Sequence, residues 1–175
     1  HRCAHGGGGG KTVVAGAANT GRVEDHPTIG AGRVPEGSTV VTTDPKYTKI
    51  VYWCTNANAF SGCATSLDGG ATFVQAPPLF LNKRPCSGAT GHLSADSAGR
   101  VYLGSSSCGT PEVVVTEDGG VSWTQSVSSK TIAGYCHDVE VASDSAGNLY
   151  AGWIHAKFSL PVRAVSSGHG QTWRP

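Results

Sequence analysis

Apolar residues in this chain come in short runs bounded by turn-forming residues. Val113-Val114-Val115 is the clearest case, a β-branched run between Pro111-Glu112 and Thr116-Glu117-Asp118-Gly119. A strand buried on both faces has this pattern. Val101-Tyr102-Leu103 repeats it after the turn residues Ser97-Ala98-Gly99. Read this way, the middle of the chain predicts four strands, at about His92–Ala95, Val101–Ser105, Glu112–Thr116 and Ser122–Ser126.

The pattern recurs. Ser66-Leu67-Asp68-Gly69-Gly70-Ala71-Thr72-Phe73, Thr116-Glu117-Asp118-Gly119-Gly120-Val121-Ser122-Trp123 and Ser166-Ser167-Gly168-His169-Gly170-Gln171-Thr172-Trp173 begin 50 residues apart. Cys86 and Cys136 repeat at the same step, and Ser97–Gly104 has a counterpart in Ser145–Gly152. A weaker relative is Asp44-Pro45-Lys46 leading into Ile50-Val51-Tyr52-Trp53. Four antiparallel strands in a unit of this length make one propeller blade. The expected fold is therefore all-β, with three four-stranded blades at about 25–80, 81–130 and 131–175. Residues 1–24 form a Gly-rich N-terminal segment with one further strand at Lys11–Ala18. Three blades are fewer than the roughly four to eight of a closed ring. The missing blades are expected from the rest of a longer chain, or else from a second copy.

The repeated turn has a mechanical role. Its carboxylate (Asp68, Asp118) can accept backbone N–H bonds, and its glycines (Gly70, Gly120, Gly170) supply positive φ. The leading hydroxyl (Ser66, Thr116, Ser166) ties the turn, and the closing aromatic (Phe73, Trp123, Trp173) packs between sheets. Gly168 stands where the third turn would carry Asp, so that turn is expected to be the loosest. These segments resemble the Asp-box, or BNR, repeats of sialidases and related secreted propellers. The resemblance implies a ring of six or seven blades. It does not imply sialidase activity, because the box lies away from the active site in that family.

Composition supports strands over helices: 25 Gly, no Met, and only 14% charged residues. The net charge of +1 gives no reason to expect nucleic acid or an anionic membrane as partner. No apolar run approaches the roughly 18 residues of a membrane span. The chain opens His1-Arg2-Cys3, as a mature secreted chain or a trimmed one would. Its six cysteines form no Cys-x-x-Cys pair and read as disulfides, hence an oxidising, extracellular setting. Cys54 and Cys63 flank the loop between two strands of one blade and are the first expected pair. Cys86–Cys108 is the second, and Cys3–Cys136 remains by elimination.

Candidate chemistry gathers where the innermost strands begin, around the central channel. Asp25-His26 lies there in the first unit, His92 in the second, and His137-Asp138 with Glu140 in the third. Imidazoles and carboxylates converging on one axis can hold a cation or an anionic ligand. Otherwise they bond loop carbonyls and line a wet channel. No metal or cofactor is assigned. Arg33-Val34-Pro35 resembles the Arg-Ile-Pro motif of sialidases, which implies a carboxylate-binding role for Arg33. Between Arg33 and the first box, however, the only carboxylates are Glu36 and Asp44. The leading expectation is a secreted module that recognises a glycan or protein partner through its channel face. The alternatives are part of a sialidase-type glycoside hydrolase, and a structural subunit that assembles a propeller between chains.

Overall fold

The computed structural model describes residues 24–57, 60–76, 79, 90–106, 109–129 and 138–175. Cys3, Cys86, Cys108, Cys136, His137 and the expected strand at Lys11–Ala18 lie outside these residues.

Three antiparallel sheets follow one another along the chain, with no α-helix among the described residues. The first blade is β1 (Glu24–Arg33), β2 (Lys49–Ala57), β3 (Phe60–Ser66) and β4 (Val74–Gln75), side by side in that order. The second is β5 (Ser94–Ala95), β6 (Val101–Ser105), β7 (Glu112–Thr116) and β8 (Thr124–Val127), again in order. In the third, β9 (Glu140–Ser143), β10 (Leu149–Ile154) and β11 (Pro161–Ser166) pair in order. Arg174 adds the beginning of a fourth line by exchanging two backbone bonds of 2.8 Å with Val165. This is the expected all-β architecture of three propeller blades.

The repeated turns explain where the outer strands start. In the second turn Thr116 Oγ1 donates to Asp118 Oδ1 at 2.9 Å, and Gly120 N donates to Thr116 Oγ1 at 2.8 Å. Ser122 N donates to Asp118 Oδ1 at 2.9 Å and Ser122 Oγ to Oδ2 at 2.5 Å. Because Ser122 N is held by the carboxylate, ladder pairing begins only at Thr124, two residues later than the sequence pattern suggested. The first turn repeats this geometry around Asp68 with Ser66, Gly70 and Thr72. Those bonds, led by the Thr72 hydroxyl, hold the Asp68 carboxyl down at about 2. For Asp118 partial burial pushes upward, yet the bonds from Ser122 and Thr116 outweigh it and leave the carboxyl lowered. The third turn keeps the serine, whose Oγ accepts from Gly168 N at 3.2 Å and Gly170 N at 2.9 Å. It has no carboxylate, and a non-glycine residue, His169, takes the left-handed φ of 54°.

A second carboxylate-centred turn joins the two inner strands. Asp96 Oδ2 accepts from Arg100 Nε at 2.6 Å and from Tyr102 Oη at 3.0 Å. In the third blade Asp144 Oδ2 accepts from Asn148 Nδ2 at 2.8 Å and Tyr150 Oη at 3.0 Å. Both place the tyrosine six residues after the aspartate.

The core lies between blades. The face of blade 1 bearing Ile50, Tyr52, Cys54 and Cys63 packs on Val101, Leu103 and Val114 of blade 2. The opposite face of blade 2, with Tyr102, Val113 and Val115, packs on Val141, Leu149, Ala151, Trp153 and Ala164 of blade 3. Trp123 closes the second turn by wedging edge-on against Tyr52, with ring centroids 6.3 Å apart. Trp173 packs against the core between blades 2 and 3 and donates Nε1 to Ser126 Oγ of blade 2 at 3.0 Å. Each fully buried aliphatic or aromatic side chain contributes about 1.5–3 kcal/mol, so the blade-to-blade seams carry the stability. Cys54 and Cys63 face each other across β2 and β3 and form the expected disulfide.

Candidate functional site

The inner strands β1, β5 and β9 start on one side of the array, and their starts define an inner rim. Their order is held by contacts between neighbours. Leu93 N, just ahead of β5, donates to Thr28 Oγ1 of β1 at 3.1 Å. At the next seam the backbone of blade 3 comes unusually close to blade 2. A Cβ added at Gly91 would lie 2.2 Å from Val139 O, and one at Gly104 would lie 2.1 Å from the same oxygen. Only glycine fits at either position, because the obstructing atom is backbone.

That approach sets Glu140 beside His92. Glu140 Oε2 accepts from the His92 backbone N at 3.1 Å, and Oε1 lies 3.0 Å from His92 Nδ1. One carboxylate therefore holds both the main chain and the ring. The contact directs Nδ1 toward blade 3 and leaves Nε2 as the free ring position. Both side chains remain open to solvent, His92 at 76% and Glu140 at 51% exposure. An exposed side-chain contact of this kind is worth roughly 0–1 kcal/mol to the fold. Its geometry can position an imidazole for a ligand, and it does little for stability.

The other rim candidates fall as follows. Asp25 and His26 were expected ahead of the first strand, but β1 already begins at Glu24. The β1–β2 register shifts between Asp25 and Thr28, and this irregularity accommodates Pro27, which has no N–H to give to a ladder. Asp138 directly precedes Val139 and so belongs to the same rim. Arg33 does not share it, which corrects the expectation from the motif. Arg33 pairs with Lys49, whereas Asp25 pairs with Asn56 at the other end of the same two strands. Eight residue steps of extended chain separate Arg33 from Asp25, about 25 Å. Arg33 instead lies on the side of the repeated turns, where its Nη1 donates to Ser97 O at 3.4 Å.

Two features went unread in the sequence. The close approach of Val139 to Gly91 and Gly104 is a tertiary contact with no local signature. The Asp96–Tyr102 and Asp144–Tyr150 pairs did carry one, the repeated six-residue spacing. Two further polar or open features involve neither His92 nor Glu140. Glu112, in the blade 1–blade 2 seam, is 9% exposed; burial pushes its carboxyl up, and Gln125 Nε2 bonds it at 2.6 Å. A cavity of about 410 Å³ opens between blades 1 and 2 on the turn side, lined by residues including Val40, Leu67, Val74 and Val121. Among the described residues, no three of His, Cys, Asp and Glu cluster so as to hold a metal ion.

The fold defines a class, a set of propeller blades, in which the second and third bring His92 and Glu140 together where their inner strands begin. No protein-family model matches the chain, and no curated protein matches it. Among solved structures it is similar to a crystal structure of a protein of unknown function from Dyadobacter fermentans DSM 18053. That match has a TM-score of 0.57 at 12% identity and covers 86% of this chain and 49% of the other. Another match is the Hadza microbial sialidase Hz136, with a TM-score of 0.49 at 16% identity, covering 71% of this chain and 27% of the sialidase. The chain thus spans about half the length of the first structure and about a quarter of the second. The first likeness is one of fold.

Proposed function

We propose that this chain forms part of a secreted, Asp-box β-propeller of the sialidase-like kind that recognises a glycan or protein partner on its inner rim. The observation that carries the reading is the double grip of Glu140 on His92. It holds an exposed imidazole in one orientation across a seam between two blades, where a partner reaching into the channel would meet it. The hydrogen bonding around Asp68 and Asp118 supports the Asp-box reading, since it gives those aspartates a turn-forming role. The Cys54–Cys63 disulfide supports an oxidising compartment. Arg33 lends no weight to a hydrolase, because it sits about 25 Å along β1 from Asp25.

Calorimetric titration tests the reading, with a sialylated trisaccharide and its neutral disaccharide core as probes. Wild-type protein should bind at least one of them. His92→Ala and Glu140→Ala should each weaken that binding about tenfold or more while leaving the far-ultraviolet spectrum unchanged. Binding that survives both substitutions would move the site off the rim.

A further inference from the structure

The connection between the two inner strands differs from blade to blade. In blades 2 and 3 it is a tight turn around Asp96 or Asp144, five residues in each case (96–100 and 144–148), whereas in blade 1 it runs for fifteen (34–48). A connection of that length without secondary structure of its own usually has a task. Here it is tied down on both sides. Ser38 Oγ donates to Asp118 O of blade 2 at 3.0 Å, and Thr43 N donates to Leu67 O of blade 1 at 2.9 Å. The segment therefore straps the first repeated turn to the second. Tyr47 seats it further, since a Cβ added at Gly69 would lie 2.4 Å from the Tyr47 Cζ. Glycine leaves the room that the ring occupies.

The strap, the two turns and β4 enclose the cavity of about 410 Å³. Small-molecule sites fall in the range of about 300–1,000 Å³. Val40, Leu67, Val74 and Val121 supply apolar wall, and Thr43 and Asp68 supply polar groups. Val74 and Val121 are 70% and 57% exposed, so apolar surface faces water beside the opening, and a ligand would cover it at a gain. The charge is one-sided. Every charged residue within two positions of a lining residue is acidic, namely Asp44, Asp68, Glu117 and Asp118. Lys46 is the nearest cation along the strap, and its ammonium is turned over the Tyr47 ring, 5.5 Å from the centroid. The bonds within the two repeated turns keep Asp68 and Asp118 ionised at neutral pH.

We propose that this cavity binds a small organic cation, an apolar body carrying one ammonium group. The body covers the valines of the strap, β4 and the second turn, and the ammonium sits in the negative field of Asp68 and Asp118. The same field disfavours an anion of equal size. The site lies on the turn side of blades 1 and 2, and it does not rest on the rim reading.

Three probes of one shape test it by amide-shift titration: 4-phenylbutylammonium, 4-phenylbutanol and 4-phenylbutanoate. The ammonium should bind about tenfold or more tighter than the carboxylate at low salt, with the alcohol between them. Its shifts should centre on Val40, Val74, Gly120 and Val121, and raising the ionic strength should narrow the gap. Val74→Lys should weaken the ammonium about tenfold or more, whereas Val74→Glu should hold its affinity within about threefold. Position 74 is exposed, so both variants should keep the wild-type circular dichroism spectrum. If either fails to fold, Val121→Lys and Val121→Glu carry the same test. His92→Ala should leave ammonium binding unchanged, which separates this site from the rim. A carboxylate bound as tightly as the ammonium overturns the proposal, as do equal losses from the lysine and glutamate variants. Shifts centred elsewhere, or no binding of the ammonium at millimolar concentration, overturn it too.

Discussion

Replacing Asp118 by Ala isolates the work of the repeated turn. The carboxylate accepts bonds from Thr116 Oγ1, Ser122 N and Ser122 Oγ. Hydrogen bonds to a charged group are each worth about 1.5–3 kcal/mol when water is excluded, but this turn is partly open and water replaces some of what is lost. The net cost should be about 1–3 kcal/mol, which corresponds to about 3–10 °C in Tm for a chain of this size. Gly168→Ala is the matched control. That position has no carboxylate to lose, and an added Cβ would meet only Thr172 Oγ1, at an ordinary 3.6 Å. Gly168 is also absent from the glycines with positive φ, so the control should change stability by no more than about 0.5 kcal/mol. Gly168→Asp should go further and stabilise by about 0.5–2 kcal/mol, by restoring the missing acceptor. Urea unfolding at pH 7 reads all three as shifts in midpoint at constant slope. Equal losses from Asp118→Ala and Gly168→Ala would refute the account of the turn.

Acid should reveal the same chemistry at Asp68, whose carboxyl lies at about 2 against an ordinary 3.8. A lowered carboxyl stabilises the fold above about pH 4, and that contribution is lost as pH falls through about 2. The stability gap between wild type and Asp68→Asn should therefore be constant from pH 7 to about 4 and close by about pH 2, as followed by urea midpoints. Gly104→Ala places a Cβ 2.1 Å from Val139 O, and unseating blade 3 from blade 2 should cost about 1–3 kcal/mol. Hydrogen exchange should then rise in β9 and β10 while β2 and β3 stay protected. Cys54→Ala with Cys63→Ala removes a link across a sequence separation of 9, which loop entropy values at about 2–3 kcal/mol. Thermal unfolding of the double variant under non-reducing conditions measures it.

The parts of this fold that were legible in the sequence are those with local causes. The second blade shows this best. Its short apolar runs and turn glycines placed β6 and β7 at the residues where they occur, because those strands end where Gly and Asp demand a turn. The Cys54–Cys63 bond was legible because both cysteines flank a single loop between paired strands. The start of β1 was not, since Pro27 reads locally as a break and only a bulge keeps the strand going. Arg33 was misplaced for a related reason. Its motif says nothing of strand direction, and ten residues of β1 carry it to the turn side. The rim pair was half legible. The sequence brought His92 and Glu140 to the starts of neighbouring inner strands, but their contact depends on backbone seating against Gly91 and Gly104. That seating is a property of two stacked sheets.

The rim reading is tested most directly by mapping amide shifts in a nitrogen–proton correlation spectrum as the sialylated trisaccharide is added. The account predicts that the largest shifts fall on Gly91, His92, Leu93, Val139 and Glu140, and that His92→Ala abolishes them without altering the rest of the spectrum. Shifts centred on the cavity beside Val74 and Val121, or none with either the sialylated or the neutral probe, would contradict it.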